Sequence, residues 1–219
     1  MRARRRNNPA ARPGLTLIET ALAIVIIGVG VIAMIDAQTA FMRSNAWSSQ
    51  AATATFLANE IREYSRNFSR HDPVTGLGLD GGTLFGWGPE AGEVTVADYD
   101  DLDDFDGVRF GDNGDFPGPI NGFGELIPQI DEDGNPVLAN GAPVGMTGWS
   151  QTVLVEKVDP FDPSLVLADN FQQPGGVGWP GRRVGDFPLR VTVIVAYRAP
   201  GAVDEEEITR VTWITPGSR

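Results

Sequence analysis

Apolar residues along this chain change their period twice. From Leu15 to Ile35 they run almost unbroken: LTLIETALAIVIIGVGVIAMI holds twenty-one residues, twelve of them Leu, Ile or Val, with the single charge of Glu19. About twenty such residues span the hydrocarbon of a bilayer as a helix. Past Ile35 the run becomes a stripe. No Pro or Gly occurs from Asp36 to Phe68, and Ala40, Trp47, Ala51, Ala54, Ala58, Ile61, Ser65 and Phe68 recur at steps of three, four and seven. Leu57 and Tyr64 widen the stripe, while Arg43, Asn45, Gln50, Asn59, Arg62 and Glu63 fill the other faces. The pattern predicts one helix of about fifty residues, roughly 75 Å long. Its lower half can use lipid and other chains, and its upper half a sheet of its own chain.

Pro73 ends the helical region. Gly76 to Gly92 has no periodicity and reads as an irregular loop. Val94 to Ala97 and Val108 to Phe110 read as short strands, and Asp112–Asp115 and Asp131–Asn135 as turns. Alternation then becomes clear at Thr152–Val158, with Val153 and Val155 on one face, at Leu189–Arg198 and at Ile208–Ile214. The last two flank Pro200-Gly201 and predict an antiparallel hairpin. The expected fold class is α+β: a long N-terminal helix, membrane-spanning in its first half, on a small antiparallel sheet of three to five strands in a loop-rich body. The expected divisions are a basic leader over 1–14, an apolar helix over 15–35, its amphipathic continuation over 36–70, and an exported acidic β-rich body over 71–219.

Charge sharpens this division. The net charge is −12, yet Arg2, Arg4, Arg5, Arg6 and Arg12 precede the apolar run, so the remainder carries −17. Arginines on one flank hold that end in the cytoplasm and export the other. A body that acidic does not neutralise phosphates, which argues against direct nucleic-acid binding. With no cysteine, disulfides and thiolate chemistry are excluded.

Glu19 is the anomaly, because a carboxylate inside an apolar helix is costly unless something pairs with it. Gly14-Leu15-Thr16-Leu17-Ile18-Glu19, after a basic leader and before an apolar run, resembles the type IV prepilin signature, with Leu15 where Phe is commonest. The resemblance implies cleavage between Gly14 and Leu15 by the prepilin peptidase and N-methylation of the new terminus. It also implies pairing of Glu19 with the terminal amine of a neighbouring subunit. Gly28 and Gly30 lie mid-span and suit close helix packing. The segment from Asn45 to Asn67 resembles minor pilins of the MSHA and pilus-assembly type and the small pseudopilins of type II secretion, and the DYDDLDDFDG run (98–107) and TVLVEKVDP (152–160) resemble segments of MSHA-type minor pilins. The C-terminal disulfide loop of major pilins has no counterpart. A general secretory signal would need a small-x-small site after the apolar run, and Ile35-Asp36-Ala37 is a poor one. Arg4-Arg5-Arg6 is followed by Asn-Asn-Pro, unlike a twin-arginine signal.

No catalytic constellation is visible, so the chain is not expected to be an enzyme. Gly76-Leu-Gly78-Leu-Asp-Gly81 matches G-x-G-x-x-G but follows a helix rather than a strand. Gly148-Trp-Ser150 lacks the last glycine of a nucleophile elbow. His71, the sole histidine, reads as a capping or exposed residue. No cofactor is required; calcium is a weak option at Asp131, Asp133 and Asn135, whose oxygens alternate, and at the dense Asp100, Asp101, Asp103, Asp104 and Asp106. Neither has the twelve-residue loop with a terminal Glu of an EF-hand, and both otherwise read as a solvated acidic surface and ordinary turns. The expected function is a structural minor pilin or pseudopilin, cleaved, held in the inner membrane and assembled into a pilus-like or type II secretion filament. Its expected partners are the prepilin peptidase, other pilin or pseudopilin subunits and an inner-membrane assembly platform. Its body would lie in the periplasm or on an extracellular filament. The rival is a membrane-anchored exported binding protein with cation-holding loops that never polymerises.

Overall fold

The computed structural model describes residues 16–217 and divides the chain into two compact units, with the boundary between Ser48 and Ser49. One helix, α1 (Leu17–Ser65), runs through that boundary for 49 residues. In the first unit its apolar side chains are bare: Leu17 is 89% exposed, and Leu22, Val25, Ile27, Val29, Ile32 and Ile35 are all more than half exposed. It is long and apolar enough to cross a membrane by length and composition.

In the second unit the same helix is a core element. Ala54, Leu57, Ala58, Ile61 and Ser65 are buried, in the expected steps of three and four. The stripe is buried only from Ala54 onward; Trp47, expected on it, belongs to the first unit and is 64% exposed. The helix stops at Ser65, before Phe68. Phe68 turns into an aromatic cluster, its ring 4.9 Å from Tyr64 and 5.4 Å from Phe105. Ser69 then leaves helical geometry to pair with Asp101, and its carbonyl accepts the Leu102 N–H at 3.0 Å.

Among the described residues the body carries eight strands. These are β1 (Gly78–Asp80), β2 (Thr83–Phe85), β3 (Arg109–Gly111), β4 (Leu138–Ala139), β5 (Ala142–Pro143), β6 (Trp149–Lys157), β7 (Leu189–Tyr197) and β8 (Glu206–Thr215). The main sheet is antiparallel, in the order β3-β6-β7-β8. Its inner face presents Val153, Val155, Leu189, Val191, Val193 and Val195 to the helix stripe in one cluster. Each large side chain there contributes about 1.5–3 kcal/mol by leaving water. The expected hairpin is β7–β8, with a bulge at Val195/Ala196.

Two local expectations are overturned. Gly76–Gly92 is not featureless: β1 and β2 pair as a hairpin across Gly81-Gly82, both at positive φ (57° and 93°), which glycine adopts without a Cβ penalty. Val94–Ala97 is not a strand. The Asp98 carboxylate accepts the N–H groups of Val94 (3.2 Å) and Thr95 (2.9 Å), so the side chain satisfies the backbone and winds it into a turn.

Candidate functional site

The start of α1 is organised by its own sequence. The Thr16 N–H donates to Glu19 Oε2 at 2.8 Å, the Thr16 hydroxyl donates to the same oxygen at 2.9 Å, and the Glu19 N–H returns to Thr16 Oγ1 at 3.4 Å. This is a reciprocal capping box, spelled Thr-x-x-Glu. The spacing was there to be read, and Glu19 therefore has a partner within its own chain. Both bonds to the carboxylate use Oε2; Oε1 receives none among the described residues. Gly14 and Leu15 lie outside the described residues.

A second constellation sits in the body, where the aspartate run crosses between helix end and sheet. That run is a solvated surface only at Asp98, Asp100 and Asp106: Asp101, Asp103 and Asp104 are buried, with Leu102 and Phe105 in the core. The chain is held there by its own carboxylates. Asp101 Oδ1 accepts the N–H groups of Asp103 (2.9 Å) and Asp104 (3.2 Å), and Asp104 Oδ2 those of Asp100 (3.1 Å) and Asp101 (3.2 Å). Asp106 Oδ1 accepts the Val155 N–H at 2.9 Å, tying the run to β6.

Glu90 and Glu93 face this run from the preceding loop. Carboxylate oxygens of Glu90, Asp101 and Asp104 lie within 4.8 Å of one another, as do those of Glu93, Asp100 and Asp104. Burial is the main cause that pushes the Asp101 carboxyl up to about 8, with Asp103 adding to it, and the Asp104 carboxyl up to about 7, with Asp101 adding to it. Glu90 is raised as well, by burial first and then by Glu93, Asp104 and Asp101.

His71 is also not where the sequence placed it. It is buried, with Nδ1 3.1 Å from Asp103 Oδ1. Burial, then the neighbouring Arg70, hold it down to about 4, so it is neutral at pH 7 despite the carboxylate beside it. Lys157 is buried on the same side, its ammonium donating to the Asp169 carbonyl and lying near the rings of Trp87 and Phe187. Burial lowers it to about 8. The inward side of the alternation in β6 is thus Gln151, Val153, Val155 and Lys157.

The calcium candidates of the sequence lie elsewhere. Asp131, Asp133 and Asn135 are exposed in a turn where Asp131 Oδ1 accepts the N–H groups of Asp133 (3.0 Å) and Asn135 (2.8 Å). The G-x-G-x-x-G stretch is the β1 strand and its turn. Ser150 is buried in β6, with its hydroxyl 3.4 Å from Glu205. No family model, curated protein or solved structure matches this chain.

Proposed function

We propose that this chain is a type IV pilin-like subunit, a minor pilin or a type II secretion pseudopilin. Its apolar helix is held in a membrane and then transferred into a filament of like helices. The observation that carries the reading is the first half of α1: among the described residues, a helix whose apolar side chains are exposed and which has one carboxylate in its first turn. Helices so exposed need lipid or other helices around them. The layout of a long apolar-start helix with a small sheet on its later turns supports the same reading.

In this reading the prepilin peptidase cuts after Gly14 and the terminus at Leu15 is methylated. Glu19 keeps its capping bonds through Oε2 and offers Oε1 to the terminal amine of a neighbouring subunit. The arginine-rich leader sets the N-terminus on the cytoplasmic face. The acidic body is exported and governs what the filament meets.

The capping box also favours a second reading. A Glu19 satisfied within its own helix needs no second subunit, which fits an anchored binding protein that never polymerises. Mass spectrometry of the membrane-extracted protein and a Glu19→Val variant separate the two. A filament subunit begins at methylated Leu15, and its Glu19→Val form enters the membrane normally but is missing from sheared filaments. An intact Met1 terminus, or normal incorporation of the variant, refutes subunit assembly.

A further inference from the structure

We infer that Glu90, Asp101 and Asp104, with Glu93 and Asp100 at the outer edge, form a binding site for a hard divalent cation of the calcium class. This stands apart from filament assembly. Oxygens that all lie within 4.8 Å of one another can share one ion bonded at roughly 2.3–2.6 Å. The donors are all carboxylate oxygens, as such an ion prefers.

Proximity alone would not make the site; the state of the buried oxygens does. Asp104 is 0% exposed, yet its Oδ1 is shut away from solvent with no hydrogen-bond partner, while its Oδ2 is anchored by two backbone N–H groups. Both oxygens of Glu90 are likewise shielded without a donor, and the side chain that meets this carboxylate is itself a carboxylate, Glu93. Three buried acceptors without donors, on two carboxylates that approach each other, are expensive to leave so. The charges that act on Glu90 are Asp104, Glu93 and Asp101, all acidic. The nearby cations serve the other side: Arg70 and Lys157 act on Asp103, and His71 sits against it. A cation between Glu90 and Asp104 satisfies all three oxygens at once. Exposed Asp100 and half-buried Glu93 provide the way in.

The test uses full-length protein in detergent, stripped with EDTA and titrated with calcium chloride by calorimetry at pH 7.5. Binding should saturate below about 1 mM and raise the melting temperature by roughly 5 °C at saturating calcium, reversibly with EDTA. The Glu90 carboxylate receives no donor and meets another carboxylate, Glu93, so Glu90→Gln should fold and weaken binding roughly tenfold or more. Asp131→Asn, in the exposed turn, should bind as the parent does. No saturable binding at millimolar calcium, unchanged binding in Glu90→Gln, or loss in Asp131→Asn overturns the site. A melting temperature that ignores calcium but rises in Glu90→Gln overturns it in favour of protons shared among the carboxyls.

Discussion

Single residues carry much of the specificity of the body. Gln151 is 0% exposed, and its amide closes three bonds: Nε2 to the carbonyls of Leu57 (2.8 Å) and Ile120 (3.1 Å), and Oε1 from the Ile120 N–H (2.8 Å). It fastens helix, loop and sheet at one point. Gln151→Leu keeps the volume but strands buried polar groups on Ile120. It should cost about 2–3 kcal/mol in urea unfolding followed by tryptophan fluorescence. His71 makes a pH prediction. Unfolded, it takes a proton near 6.5; folded, only near 4. Between those values the unfolded chain binds more protons, so this residue's contribution to stability is full above pH 6.5 and lost as pH falls toward 4. The groups around it are Asp103, Arg70, Asp101, Lys157 and Asp186. Comparing parent and His71→Gln from pH 7 to pH 4.5 should show the parent losing about 2–3 kcal/mol relative to the variant.

At the scale of elements, α1 is one helix in two surroundings. Its upper turns obey core arithmetic. Ile61→Ala removes a side chain that is 2% exposed and should destabilise the body by about 2–5 kcal/mol. Ile27→Ala, on the bare stretch, should leave the same unfolding transition unchanged, because that side chain is 64% exposed and its truncation removes no buried apolar surface. Equal losses from both changes would mean that the two units share a core. The strands follow the same logic: β7 is buried on both faces at several positions and sits centrally, while β8 at the edge alternates between exposed and half-buried residues. β8 carries Glu206, Glu207 and Arg210 outward, which discourages further strands from pairing there.

For the molecule as a whole, two kinds of information have different origins. The long helix, the three long strands, their antiparallel hairpin and the membrane-capable stretch were readable in the sequence, because each rests on a local period of apolar residues repeated over many positions. The capping box at Thr16 and Glu19 and the Gly81-Gly82 turn are also local signals, from residues three apart and adjacent, but hydrophobic periodicity does not mark them and the glycine stretch read as an irregular loop. What surrounds an aspartate is not local. Whether Asp101, Asp103 and Asp104 meet water or the core depends on Ser69, β6 and the Glu90 loop closing over them, and composition alone had placed them outside. His71 moved inward for the same reason, carried there by the chain leaving the helix at Ser65. Sequence periodicity determines which faces must be buried; only the tertiary structure decides which polar groups are buried with them, because their cost is balanced by partners far away along the chain.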